Sequence, residues 1–307
     1  MKRPVASARH LGAVALACLA AVAPASVASA APASAGGRNY VALGDSYASA
    51  PGVPEQTDPG CGRSSQNYPS LVARQRHARL TDVTCAGATA ASLALAKDGR
   101  PAQYDALNRD TELVTVSIGG NDGVGFSAVL TTCATLSRTD PTGTPCRGHY
   151  TEGGGDRLLE GIATTAPKVD AVLATVHRRA PHAKVLLVGY PSIFPDDGTG
   201  CTSPAAPFAA GDFGYLRDTA KALNTMLARR AELGGAVYVD TYTSTVGHDM
   251  CRPAGERWIE NLAPAVPANA GHPTARGEQA MAEAVERALK SCHGARDEAV
   301  RPAARRG

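Results

Sequence analysis

A long hydrophobic run is missing from this sequence: the apolar stretch at residues 11–23 stops at Pro24, short of the ~20 apolar residues that a membrane-spanning helix requires. An excess of one charge is missing too. Lys and Arg number 31 against 28 Asp and Glu, a formal balance of +3, and part of the basic side lies near the two ends, so neither a nucleic-acid stripe nor a membrane patch follows. There is no Cys-x-x-Cys pair and no Cys/His cluster of zinc-site type, which argues against a metal. Internal repeats are absent, and no apolar surface stripe calls for a partner subunit. These absences lead to an expectation of a monomer with no metal or organic cofactor, no nucleic-acid partner and no stable membrane anchor.

The first 35 residues carry a different signal. Lys2, Arg3 and Arg9 precede the short apolar run, and small-residue sites follow at Ala28-Ser29-Ala30 and Ala33-Ser34-Ala35. This is the layout of a Sec-type signal peptide, with cleavage expected after Ala30 or Ala35 and a secreted, extracellular product. Cys18 lies inside the apolar run with Ala15 ahead of it, which does not suit lipidation. Cleavage leaves about 270 residues, a size that a single α/β domain can occupy around one core. That domain is expected at residues 36–293, with a flexible Arg/Ala-rich tail at 294–307.

Seven cysteines remain after Cys18, in a chain bound for an oxidising compartment, so three disulfides and one leftover thiol, Cys292, are the natural count. Chain order suggests Cys61 with Cys85, Cys133 with Cys146 and Cys201 with Cys251, although order alone leaves other connectivities open.

Near-continuous runs of Val, Leu and Ile at residues 39–43, 112–118, 184–188 and 236–239 read as strands buried on both faces, the pattern of a parallel sheet. Helical patterns lie between them at residues 68–77 and 158–177, and where Leu216, Ala220, Leu223 and Leu227 share one face. Strand alternating with helix predicts a three-layer αβα sandwich around a mostly parallel sheet. Pro273 suits the first turn of a last helix that continues through residues 279–289. The Pro- and Gly-rich stretches 139–155 and 190–211 read as long loops that supply pocket walls.

Chemistry is expected outside the carboxyl ends of such strands. Gly44-Asp45-Ser46 follows the first strand directly, and Gly119-Gly120-Asn121-Asp122 follows the strand at 112–118. A third strand end, at residues 82–84, leads into Cys85-Ala86-Gly87-Ala88, where Gly87 has no side chain to keep its N–H from a ligand. Each tripeptide alone is an ordinary turn. Together the Ser46 N–H, the Gly87 N–H and the Asn121 amide make three donors for an oxyanion. A serine needs a base. His10 lies in the leader, His77, His177 and His182 at apparent helix ends and His293 in the tail, while His149 and His248 in cysteine-bearing loops stay open. His272, fixed by Pro273 at a helix start, is the strongest candidate.

The order Gly44-Asp45-Ser46-Tyr47, Gly87, Gly119-Gly120-Asn121-Asp122 and His272-Pro273 resembles the SGNH, or GDSL, hydrolases over about residues 40–289, and the three cysteine pairs look like those of extracellular lipases and esterases in its actinobacterial branch. The resemblance implies a flavodoxin-like fold and a serine esterase or lipase acting on acyl lipids or other carboxylic esters. It also implies Ser46 as nucleophile, His272 as base, and Ser46, Gly87 and Asn121 as the oxyanion hole. The setting of Ser46 is unlike the Gly-x-Ser-x-Gly elbow of α/β-hydrolases. Many family members carry Asp three residues before the histidine, where this chain has Asn269. The resemblance therefore implies a Ser–His dyad whose Nδ1–H is oriented by the Asn269 carbonyl, with the Asn269 side-chain oxygen as the lesser alternative, and Asp45 shapes the turn. Two other readings accompany it: an esterase or acyltransferase for polysaccharide or another acyl conjugate, and a secreted binding protein that lost catalysis, for which Asn269 is the only support.

Overall fold

The computed structural model describes residues 37–300, with side chains described through residue 291; the expected signal peptide, Cys18 and residues 301–307 lie outside the described residues, as does the Cys292 side chain. The described chain forms seven strands, β1 Asn39–Gly44, β2 Gln56–Asp58, β3 Arg63–Ser64, β4 Arg79–Asp82, β5 Leu113–Ser117, β6 Lys184–Val188 and β7 Val237–Val239. The helices are α1 Ser46–Ser49, α2 Tyr68–Arg76, α3 Phe126–Leu136, α4 Pro145–Thr151, α5 Arg157–Arg179, α6 Asp212–Leu233 and α7 Ala275–Val300.

Five strands make the central sheet in the order β4-β1-β5-β6-β7, and every pairing within it is parallel. Strands β5 and β6 are buried along almost their whole length, as their unbroken apolar runs predict. Helix α2 packs on α7, and α5 packs on α6, which supplies the helical layers that cover the sheet. A parallel sheet needs both faces covered, because neither face carries a polar, solvated side. One core runs through the domain, with Leu43, Val114, Leu173, Leu187, Leu223 and Val285 all fully buried.

The strand order reverses direction at β1. The next strand in sequence within the sheet, β4, lies on one side of it and the following one, β5, on the other. This is the topological switch point at which a doubly wound sheet opens a crevice for ligands. The loops after β1, β4 and β5 all leave the sheet there.

Several expectations change in detail. The third strand ends at Asp82 and not at Thr84, because the Asp82 carboxylate accepts from the Thr84 N–H and hydroxyl and turns the chain. Pro273 is not in the first turn of α7. It bridges Ile259, and Thr274 caps the helix, its hydroxyl and carbonyl accepting from the N–H groups of Gly277 and Glu278. The backbone of α7 stays helical through Val300, where the composition suggests a frayed tail. Within the expected loop 139–155, α4 forms on the buried Asp212 carboxylate, which accepts from Cys146 N–H and Arg147 N–H. That partner is 66 residues away in the chain, beyond the reach of a local reading. The disulfides are Cys61–Cys85, Cys133–Cys146 and Cys201–Cys251. Among the described residues, no helix is long and apolar enough to cross a membrane.

Candidate active site

The turn that carries Ser46 is fixed from below before the serine appears. Gly44 lies at φ +151°, and a Cβ there would stand 2.7 Å from the Ser117 carbonyl oxygen, so only glycine lets β1 and β5 close up at this end. The buried Gln103 amide clamps the same residue, accepting from Gly44 N–H at 2.8 Å and donating to the Gly44 carbonyl at 3.0 Å. Asp45 then caps the one-turn helix α1: its carboxylate accepts from Tyr47 N–H at 3.0 Å, the usual N-cap contact. Ser46 is the first residue of that helix, so its own N–H has no intrahelical acceptor.

His272 reaches Ser46 from 226 residues away in the chain, with Nε2 at 2.8 Å from Ser46 Oγ. Its other nitrogen, Nδ1, stands 2.8 Å from the Ala270 carbonyl oxygen. A carbonyl only accepts, so Nδ1 bears the proton, and the Nε2 lone pair is left to accept from the serine hydroxyl. The orienting carbonyl is therefore that of Ala270 and not that of Asn269, as the resemblance implies. Gly271 at φ +72° turns the chain, and the Asn269 carbonyl is spent on the His272 backbone N–H at 3.1 Å. Burial holds the His272 pKa below the ordinary imidazole value, and the bond to Ala270 opposes this in part.

The histidine loop is tied on three sides. Tyr47 donates its hydroxyl to the Gly271 carbonyl at 2.7 Å, and its ring lies 5.1 Å from the imidazole. Asn269 N–H donates to the Pro51 carbonyl, just beyond α1, at 2.9 Å. Glu260 exchanges backbone bonds with both Gly271 and His272, and its buried carboxylate is held by Arg257 and by the N–H groups of Asn261 and Val266. Ser46 and His272 thus share one hydrogen-bonded backbone frame.

The two further oxyanion candidates meet each other. Asn121 Nδ2 donates to the Ala88 carbonyl at 3.1 Å, which uses one amide hydrogen and leaves the second. Gly87 sits at φ +78° with open space where a Cβ would be. Its neighbours Ala86 and Ala88 donate to the Cys61 and Cys85 carbonyls, so the turn is held on the Cys61–Cys85 bridge while the Gly87 N–H stays unpaired. The Asp122 carboxylate accepts from Ala90 N–H at 3.1 Å and joins the two turns a second time. Ser46, Gly87 and Asn121 therefore stand beyond the ends of the three adjacent strands β1, β4 and β5.

Tyr190 is a residue that the sequence did not reveal. Its buried hydroxyl donates to Asp45 Oδ2 at 2.5 Å and accepts from Gly120 N–H at 2.8 Å, linking the serine turn to the asparagine turn. Burial pushes the Asp45 carboxyl up to about 7 against the lowering effect of the Tyr190 and Tyr47 bonds. The Asp45 oxygens accept from Tyr47 N–H and the Tyr190 hydroxyl, and His272 Nδ1 has the Ala270 carbonyl, in keeping with a turn-shaping role for Asp45. The two other histidines left open by the sequence lie apart from Ser46. His248 stacks on Trp258 at 3.5 Å between ring centres, and exposed His149 packs edge-on against Tyr150. Among the described residues, no group of three or more His, Cys, Asp or Glu forms a metal cage.

A doubly wound parallel sheet with a hydrogen-bonded serine and histidine at its switch point defines the class: a flavodoxin-like SGNH hydrolase fold, and not the α/β-hydrolase fold with its nucleophile elbow. The sequence model of the GDSL-like lipase/acylhydrolase family matches residues 42–280, and the chain belongs to that family of carboxylic ester hydrolases. It is 42% identical over 250 residues to Lipase 2 of Streptomyces coelicolor, covering 80% of this chain and 83% of the relative. The crystal structure of an extracellular lipase from Streptomyces rimosus superposes with a TM-score of 0.65 at 30% identity, over 83% of this chain and 99% of that one. Phospholipase A1 from Streptomyces albidoflavus gives a TM-score of 0.66 at 28% identity over the same shares.

Proposed function

We propose that this chain is a secreted esterase or lipase in which Ser46 is the nucleophile, His272 the general base, and the N–H groups of Ser46 and Gly87 with the Asn121 amide the oxyanion hole. The observation that carries the reading is the continuous line from the Ala270 carbonyl through both nitrogens of His272 to Ser46 Oγ, each gap 2.8 Å. Ser46 Oγ attacks the ester carbonyl as its proton passes to Nε2. The Ala270 carbonyl steadies the imidazolium that forms, and the three donors take the negative oxygen. His272 returns the proton to the departing alcohol, and water repeats the sequence to release the acid.

A main-chain acceptor for Nδ1 supports catalysis over the reading as a binding protein, since no carboxylate is then needed at Asn269 to accept from His272. The names of the relatives, lipase and phospholipase A1, support an acyl lipid as substrate and a secreted site of action. The leader at residues 1–35 and the three disulfides support export.

The test is hydrolysis of p-nitrophenyl esters by the mature protein with Ser46→Ala alongside. Turnover that disappears in the variant is the expected result. Equal activity in both proteins, or none in a folded and disulfide-intact wild type, would count against the assignment.

A further inference from the structure

At its carboxyl end β1 loses a neighbour. β4 pairs with it only as far as Ala42 opposite Asp82, so Gly44, the last residue of β1, has no strand residue beside it on that side. The Gly44 N–H donates instead to Gln103 Oε1 at 2.8 Å. Its carbonyl accepts twice, from Gln103 Nε2 at 3.0 Å and from Cys85 N–H at 3.0 Å. A primary amide offers the same C=O and N–H as a peptide group, and the Gln103 side chain continues the ladder where β4 has stopped.

This joint lies directly beneath two oxyanion donors. On one side Asp45 N–H donates to the Ser117 carbonyl of β5 at 3.0 Å, and Ser46 follows. On the other, Cys85 opens the turn that presents Gly87, with Ala88 N–H donating back to the Cys85 carbonyl at 3.1 Å. Gln103 is buried, and the short turn Gln103–Ala106 that carries it has its own anchor. Arg179, the last residue of α5, donates to the Tyr104 carbonyl at 2.8 Å and pairs with Asp105 at 3.0 Å. The Gln103 side chain also borders the cavity beside Gly87, but both ends of its amide are spent on Gly44. Resting on the Ser46–His272 reading above, we infer that Gln103 is a positioning residue for ester hydrolysis. It fixes the separation of the Ser46 and Gly87 N–H groups so that both meet one oxyanion.

Gln103→Glu separates positioning from packing, because the two side chains have nearly the same shape. As a neutral acid, the new carboxyl accepts from Gly44 N–H and donates its O–H to the Gly44 carbonyl, reproducing both bonds. As a carboxylate it keeps the first and sets a negative charge against the carbonyl oxygen. The kcat of this variant relative to wild type, read on one p-nitrophenyl ester, is expected to be highest at acid pH. It falls by about tenfold or more as pH rises through the carboxyl pKa, which burial places above the ordinary ~4.3. His272 and Asp45 titrate in both proteins and drop out of the ratio. Gln103→Leu makes neither bond, so its kcat is expected to stand about 10- to 100-fold below wild type, the scale of a displaced donor, by a factor independent of pH and with KM little changed. If Gln103→Leu does not fold, Gln103→Glu carries the test alone. A Gln103→Glu ratio that stays flat with pH in protein shown folded by near-UV circular dichroism would overturn the inference, and so would an effect confined to KM, which would make Gln103 part of the cavity wall and nothing more. Wild-type turnover that is lost in Ser46→Ala upholds the dyad in either case, so the two failures are distinguishable.

Discussion

His272 takes its orientation from the main chain, and that limits what side-chain substitution beside it can do. Loss of the charged third member of a triad costs about 10⁴-fold, but the Nδ1 acceptor here is the Ala270 carbonyl, which every residue type supplies. Asn269→Ala is therefore expected to keep most of the turnover in an ester assay, while a loss comparable with that of His272→Ala would mean that the Asn269 side chain takes part. The imidazole must be neutral to accept the serine proton. Burial depresses its pKa, so the acidic limb of kcat/KM is expected to have its midpoint below 6.5, the ordinary value; a midpoint above that would contradict the buried dyad. The strand-end placement of Ser46, Gly87 and Asn121 and the place of His272 beside Pro273 were legible in the sequence, whereas the roles proposed for them came from the family resemblance. Ala270 was not. Whether its carbonyl or that of Asn269 faces the ring depends on the left-handed turn at Gly271, which a three-residue string does not reveal.

Among elements, the loops after β1 and β5 act as one unit because Tyr190 joins them. Tyr190→Phe leaves a buried Gly120 N–H without its acceptor and Asp45 Oδ2 without its donor. Each buried group left unpaired costs about 1–3 kcal/mol, so the variant is expected to show a lower urea midpoint. Its kcat should fall with KM little changed, since the asparagine turn loses its register against the serine turn. Unchanged kcat with lowered stability would restrict Tyr190 to a structural role. The strands and long helices were legible from their apolar runs, and β6 matches its run end for end. The tie through Tyr190 was hidden because it spans 145 residues, and Gln103 reaches Gly44 across 59. Polar contacts of that separation leave no periodic trace. The same holds for α4, whose start depends on Asp212 in a later helix.

For the whole molecule, the buried acids set how stability varies with pH. Burial raises the pKa of Asp45 to about 7 and also raises those of Asp82 and Glu278. A carboxyl whose folded pKa exceeds its unfolded value contributes stability fully below the unfolded pKa, and that contribution is lost as pH rises through the folded one. For Asp45 the window runs from 3.8 to about 7. Asp45→Asn does not titrate, so its urea midpoint is expected to improve relative to wild type between pH 4 and 7. A difference that stays constant with pH would show that Asp45 keeps an ordinary pKa. The fold tolerates these buried acids because each accepts at least one hydrogen bond, Glu278 through one oxygen alone, and because three disulfides constrain the unfolded chain, each by about 2–4 kcal/mol.

Activation of Ser46 by His272 is open to test by covalent labelling, without knowledge of the natural substrate. The folded mature protein is treated with an alkyl p-nitrophenyl phosphonate and analysed by intact mass and peptide mapping. One phosphonyl group per chain is expected, located on Ser46, absent in Ser46→Ala and greatly slowed in His272→Ala. Label on another residue, or equal labelling of Ser46 with and without the His272 imidazole, would contradict it.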